Sequence, residues 1–195
     1  MTEARAGIQL RLETIGADRW QIYAKDICAL EADVYEPARR LSRDEMARIA
    51  LDPDGLAVVA LAGGELAGFA FAGPLEWFAD VPGTLQDPEW GRGTALYSAD
   101  VTVAPNLRRA GVGRQLKVWQ IDNARSAGYR YIVGRNRMVL AAAMIALNAS
   151  LGAEACCYLS NTYRDGIDPD VSMYYKISLD RDRRGGTAGQ RASAP

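Results

Sequence analysis

Apolar and polar positions alternate over Gly7–Thr14, where Ile8, Leu10 and Leu12 are interleaved with Gln9, Arg11 and Glu13. That period of two predicts a half-buried strand. The spacing then changes to three and four at Trp20, Tyr23, Ile27, Leu30 and Val34, predicting a helix that stops near Pro37. Ser42-Arg43-Asp44-Glu45 has the form of a capping box and predicts a short helix to about Leu51, followed by a turn at Asp52-Pro53-Asp54-Gly55. Leu56–Leu61 and Leu66–Phe71 read as a hairpin joined at Gly63-Gly64. Residues 74–93 break every period. They hold Pro, Gly and the large aromatics Trp77, Phe78 and Trp90, which predicts a long ordered insertion rather than a linker. Strands follow at Thr94–Val103 and Tyr129–Val133, with a helix over Arg114–Ala127 between them, stopped by Gly128. Leu140, Met144, Leu147 and Leu151 mark a last helix, ended by Gly152. Ala153–Tyr163 and Val171–Leu179 read as the closing strands. The expected architecture is α/β (α+β): a mixed sheet of about seven strands flanked by about four helices, forming a single domain over residues 1–180. The Gly-, Arg- and Ala-rich segment 181–195 reads as a disordered tail.

Charge and composition narrow the chemistry. The 195 residues carry 23 basic and 24 acidic side chains, a net charge of −1. That balance gives no whole-protein reason to expect nucleic acid or an anionic membrane as a partner. Histidine is absent, which removes His-based triads, His metal ligands and imidazole proton shuttles. Cys28, Cys156 and Cys157 have no spacing suited to a disulfide framework or a metal site, so no metal is expected and a reducing cytoplasm is the default. Cys156 and Cys157 read as small buried hydrophobes, one on each face of a strand. Met1–Leu10, with Glu3 and Arg5, does not read as a signal peptide, and the apolar runs Leu56–Ala62 and Val139–Leu147 are too short to span a bilayer.

The informative segment is Asp100-Val-Thr-Val-Ala-Pro-Asn-Leu-Arg-Arg-Ala-Gly-Val-Gly-Arg-Gln-Leu-Lys117, a strand that turns at Pro105-Asn106 and enters a helix through Arg108-Arg109-Ala110-Gly111-Val112-Gly113. The first amides of a helix lack intrahelical partners, and the helix dipole adds positive potential there. Glycines at 111 and 113 let the backbone curl close to a ligand. Together they predict an anion cradle suited to a pyrophosphate. From Ala104 to Arg137 eight basic residues (Arg108, Arg109, Arg114, Lys117, Arg125, Arg130, Arg135 and Arg137) stand against Asp122 alone, which predicts a positive face. The order of the glycines fits neither a Walker loop nor a dinucleotide fingerprint.

Val103-Ala-Pro-Asn-Leu-Arg-Arg-Ala-Gly-Val-Gly113 resembles the acetyl-coenzyme A signature of the GNAT family of N-acetyltransferases, whose core is Arg/Gln-x-x-Gly-x-Gly/Ala after a Val-x-Pro turn. Asn148-Ala-Ser-Leu-Gly152 resembles the family's later helix motif, and the likeness extends from about Leu10 to Leu179. The resemblance implies a splayed sheet and a coenzyme A thioester as cosubstrate. Its pantetheine would lie along the strand at Val101 and Val103, and its pyrophosphate on Arg108, Arg109, Ala110, Gly111, Val112, Gly113 and Arg114. Asn148 stands where many members have a tyrosine acting as general acid. Asn148 cannot supply that proton and would instead hydrogen-bond the cofactor, leaving Tyr97, Tyr158 and Tyr163 as loose candidates for the acid. Backbone amides of the splayed strand would polarise the thioester carbonyl.

An amine must be uncharged to attack a thioester, and in a chain without histidine a carboxylate is the natural base. Asp100, alternating with Val101 and Val103, is the candidate base and substrate contact. Glu31 and Tyr35 are further acceptor-side candidates, because the first two helices line the acceptor cleft in the family. The insertion at 74–93 carries Glu76, Asp80, Asp87 and Glu89 among its aromatics. Trp77 and its neighbours therefore either receive a cationic amine or anchor the loop. The expected activity is acetyl transfer from acetyl-CoA to a primary amine of a small molecule, by direct attack in a ternary complex. The alternatives are a non-catalytic acyl-CoA-binding module, or an acyltransferase that uses a longer acyl chain or a protein amine. The family resemblance also allows a homodimer.

Overall fold

A computed structural model describes residues 8–180. The strand expected from Gly7 begins at the edge of that range, and the tail at 181–195 lies outside it. Seven strands form one sheet: β1 (Leu10–Thr14), β2 (Leu56–Ala62), β3 (Glu65–Pro74), β4 (Ala95–Val103), β5 (Tyr131–Arg137), β6 (Ala153–Ser160) and β7 (Val171–Ser178). Their order is β1-β2-β3-β4-β5-β7-β6, antiparallel throughout except for the parallel pair β4–β5. The helices are α1 (Ala17–Val34), α2 (Arg43–Leu51), α3 (Val112–Ser126) and α4 (Ala142–Ser150). The mixed seven-stranded sheet with four helices is the expected fold class.

Residues of β2 and β3 are apolar almost without a break because both faces of these strands are covered. Ala57, Val59, Leu61, Phe69 and Phe71 join Trp20, Ile27, Met46 and Ile49 of α1 and α2 on one face. Val58, Ala60, Ala67 and Ala70 meet Val112 and Leu116 of α3 on the other. The capping box at α2 is complete: Glu45 N donates to Ser42 Oγ at 3.2 Å, and Ser42 N donates to Glu45 Oε2 at 2.7 Å. The insertion is ordered through its aromatics. Phe78 lies in the core beside Tyr97, ring centroids 4.6 Å apart, while Trp77 and Trp90 pack on its margin.

Two expectations fail for identifiable reasons. Strand β5 runs four residues past Val133, because the polar run Gly134-Arg135-Asn136-Arg137 keeps pairing with β7. Cys156 and Cys157 are exposed, not buried. They lie on β6, the last strand of the sheet, which is exposed along most of its length. The register there passes from Ala155 opposite Tyr175 to Cys157 opposite Tyr174, leaving Cys156 in a bulge.

The feature that builds the site lies at the middle of the sheet. β4 and β5 pair only over Ala95–Tyr97 and Tyr131–Val133. Beyond that point β4 stays with β3 as far as Val103 and β5 stays with β7 as far as Arg137, so the two strands diverge around an open wedge. A bulge sits at its apex on β4, where Phe71 is opposite Asp100 but Ala72 is opposite Ser98. The extra residue, Ala99, lets Tyr97 and Asp100 point to the same face although they are three apart.

Candidate active site

On leaving β4, the chain turns through Pro105–Leu107 and reaches α3 by way of Arg109 (φ 66°) and Gly111 (φ 88°), both left-handed. Glycine takes that conformation freely; for Arg109 it is strained, a cost usually met at functional turns. Among the described residues, the amides of Arg109, Gly111, Val112, Gly113 and Arg114 donate to no backbone carbonyl. Gln115, which bonds Gly111 O at 3.1 Å, is the first residue of α3 to do so. Gly113 is required by neither backbone angle nor packing. A Cβ there would meet only Val103 and Leu147, at 3.5 and 3.7 Å. Arg108, Arg109, Ala110, Gly111 and Arg114 are exposed, and Arg114 donates to Ser150 of α4 at 3.2 Å.

Across the wedge, Asn148 of α4 is fully buried beside the Tyr175 hydroxyl, with neither amide atom in a hydrogen bond of ordinary geometry. Val101 and Val103 pack toward α3 on this face. Helix-start amides without partners, a glycine that only a close ligand would require, an orphaned buried amide and an unpaired strand edge fit a coenzyme A thioester. The expected cofactor residues are brought to one face of the wedge.

The other face holds the acceptor candidates. Asp100 is buried and accepts from Thr102 Oγ1 at 2.9 Å and from the Tyr35 hydroxyl at 3.4 Å. Its carboxyl also hydrogen-bonds that of Glu31, which is 2% exposed and accepts from Leu41 N at 3.0 Å. Glu31 Oε2 and Asp100 Oδ2 have no hydrogen-bond partner outside the pair. Burial, and for Glu31 also the charge of Asp100, favour the protonated forms. Glu31 is pushed up to about 9, and Asp100 rises as well against the pull of its hydrogen bonds. Two carboxyls in contact in such a place favour sharing a proton over both ionising. Tyr35 is raised above its usual range by the same burial and by Asp100. Asp100 and Glu31, 69 residues apart, thus form one unit.

The other candidates are distributed differently. Trp77 lies under Arg48 of α2, guanidinium to ring 5.3 Å, and makes no hydrogen bond to Glu31 or Asp100. Three of the four acids of the insertion are engaged within the domain: Asp87 and Glu89 with Lys176 at 3.3 and 3.7 Å, and Glu76 with Gly93 N, while Asp80 is exposed. Tyr97 is buried and bonds Arg135, whereas Tyr158 is 61% exposed on the edge strand. Tyr163 lies among Arg39, Arg135 and Arg137 at 5.9, 5.0 and 5.1 Å.

The continuous positive face expected over 104–137 does not form. Arg137 is buried between Asp165 and Asp170, Arg125 binds Leu179 O and Asp122, and Lys117 is wholly buried. Lys117 was hidden in the sequence among surface charges. Its ammonium bonds Ser98 Oγ (2.8 Å), Tyr175 OH (3.0 Å) and Gln120 Oε1 (3.2 Å). With no carboxylate nearby among the described residues, burial lowers its pKa to about 7. Its signal was positional, since 117 and 120 fall on the same helix face as Val112, Leu116 and Ala124.

Comparison with known proteins agrees with this geometry. No curated protein matches the sequence. The chain spans 95% of its own length in superposition on the ribosomal-protein-S18-alanine N-acetyltransferase of Escherichia coli and covers all of that chain, with TM-score 0.65 and 17% identity. The Salmonella typhimurium protein yncA, solved with its cofactor acetyl-CoA, matches with TM-score 0.65 and 19% identity, over 89% of this chain and 96% of that one. Nourseothricin acetyltransferase matches at 26% identity with TM-score 0.51, over 66% of this chain and 68% of its own. These likenesses accord with the splayed sheet. The model of the acetyltransferase (GNAT) family matches residues 21–152, and with them the divergent strands, the amide cradle and the buried Asn148: the chain belongs to the GNAT acetyltransferase family.

Proposed function

We propose that the protein transfers an acetyl group from acetyl-CoA to the primary amine of a small molecule, in a ternary complex without an acyl-enzyme stage. The observation that carries this reading is the juxtaposition, across β4, of a free-amide cradle on one face and a buried carboxyl pair on the other. When bound, the thioester supplies an acyl carbon that an uncharged amine attacks, forming an N–C bond as the C–S bond breaks and sulfur leaves with the electron pair. The amides of Gly111–Arg114 hold the pyrophosphate, Arg108 and Arg109 add charge at the turn, and the free edge of β4 at Val101 and Val103 aligns the pantetheine arm. Asn148, oriented by Tyr175, hydrogen-bonds that arm. Asp100, backed by Glu31, takes the proton that the acceptor ammonium must lose; its raised pKa suits a base working near neutrality. A thiolate with an intrinsic pKa of about 8.5 leaves and takes its proton from water.

Nourseothricin acetyltransferase, named for nourseothricin and not for a protein, lends support to a small acceptor. The ordered insertion, which crowds the β3–β4 end of the sheet, supports it too. The test is calorimetric titration with acetyl-CoA, followed by thiol release over a panel of amines. Saturable heat and amine-dependent thiol are expected. No heat with acetyl-CoA rejects the reading. Heat without thiol release from any amine or peptide favours an acyl-CoA-binding module, for which the asparagine at 148 is the specific observation.

A further inference from the structure

The acceptor face carries a second unsatisfied charge of opposite sign. Arg135 follows Val133 by two on β5 and so points to the same face as Val133, Tyr97 and Asp100. Arg135 and Asp100 stand on the two diverging strands, just past the last β4–β5 pair and on opposite banks of the wedge. Arg135 is held in place: its Nε donates to the Tyr97 hydroxyl at 3.3 Å, and its guanidinium lies 5.0 Å from the Tyr163 ring. Its Nη1 is buried without a partner.

The neighbouring cations differ. Arg137 is paired with Asp165 at 2.8 Å and Asp170 at 3.3 Å, and Arg39 with Glu36 at 3.4 Å. Among the described residues Arg135 has no carboxylate within 4 Å, and neither has the Glu31–Asp100 pair a cation. A guanidinium without a carboxylate and a carboxyl pair without a cation, on the two diverging strands and on one face, are complementary to a molecule bearing both charges.

We propose that the acceptor is a small amino acid zwitterion, whose ammonium meets Glu31 and Asp100 and whose carboxylate meets Arg135. This rests on the acetyl-transfer reading above and adds the class of acceptor. A peptide N-terminus carries no α-carboxylate, and a simple polyamine leaves Arg135 unpaired. The same fork that holds the carboxylate turns the amine toward Asp100, so the charge that selects the acceptor also sets its angle of attack.

The test uses the full chain and three probes: free α-amino acids, their N-methylamides, and the matching amines without a carboxyl group. Binding of each to protein saturated with coenzyme A is read by calorimetry, and kcat/KM by thiol release from acetyl-CoA. The expected result is that at least one amino acid binds and is acetylated about 100-fold better than its N-methylamide, the size of a lost charge-assisted fork. R135Q is expected to lower kcat/KM for the amino acid about 50-fold and for the amide by under about threefold, leaving the heat of acetyl-CoA binding as it was. R135K should restore part of the preference. If acetyl-CoA binds and amines are acetylated but acids and amides serve equally, or if R135Q depresses both alike, the zwitterion acceptor is overturned while acetyl transfer stands. If acetyl-CoA does not bind, both fall. The wild-type panel decides even if R135Q fails to fold.

Discussion

The two faces of β4 bury ionisable groups within a few residues of one another and treat them oppositely. On the acceptor face, Glu31 and Asp100 are desolvated, raised in pKa, and left with one oxygen each that has no partner outside the pair. On the cofactor face, Lys117 is desolvated and lowered to about 7, yet three hydrogen bonds occupy its ammonium. Burial disfavours the charged form of both, but the lysine is held by three neutral partners, whereas the acids are coupled to each other across two elements. A perturbed pKa alone therefore does not mark an active site. The lysine is read as a component of the frame that joins β4, α3 and β7 under the apex of the wedge.

Substitutions test that contrast. The largest effect is expected for D100N, which should lower kcat by about 10²–10⁴-fold, the range of a lost general base, while leaving acetyl-CoA affinity intact. K117M should lower kcat far less; a drop as large as that of D100N would break the distinction between the faces. Next comes the cofactor side itself. G113A, tolerated by the fold because a Cβ there meets nothing closer than 3.5 Å, should weaken acetyl-CoA binding about tenfold or more in calorimetry, with unfolding by urea nearly unchanged.

The pH dependence of stability separates the two groups by sign. Glu31 is protonated in the fold up to about 9 but ionises near 4.5 when unfolded, so its contribution falls as pH rises between those values. Lys117 loses its proton near 7 in the fold and near 10.5 when unfolded, so its contribution grows from 7 to 10.5. Each limb has a limiting slope of about 1.4 kcal/mol per pH unit, and the two oppose each other between 7 and 9. In urea melts across pH, E31Q should flatten the fall below pH 7 and K117M the rise above pH 9. The smallest effect belongs to T102V. Removal of the hydroxyl that donates to Asp100 should move the rise of the pH–rate profile upward by about half a unit to one unit.

Much of this was legible in one sequence, and what was missed has a physical pattern. Periodicity placed all seven strands and four helices, because most elements bury one continuous face. The cradle was legible because local backbone chemistry (a proline turn, two glycines, a helix start) builds it from adjacent residues. The pairing of Asp100 with Glu31 was not, since a helix stripe must be extended from Trp20, Ala24 and Ile27 to a charged residue before Glu31 is seen to lie on it. Lys117 was misread for the same reason, and Arg137 because its partners Asp165 and Asp170 lie on a loop that no pattern positions. Cys156 and Cys157 were misread because strand order decides exposure: β6 looks like an interior strand until it is known to be the last one.

The short parallel contact at the centre of the sheet has one more consequence. Only three residue pairs join the β1–β4 half to the β5–β7 half, so this seam is the part of the sheet least protected by its own hydrogen bonds. A ligand laid between the diverging strands would act as the absent stitching. Amide exchange along Ser98–Val103 should then slow, and the melting temperature rise, in proportion to how fully the gap is closed.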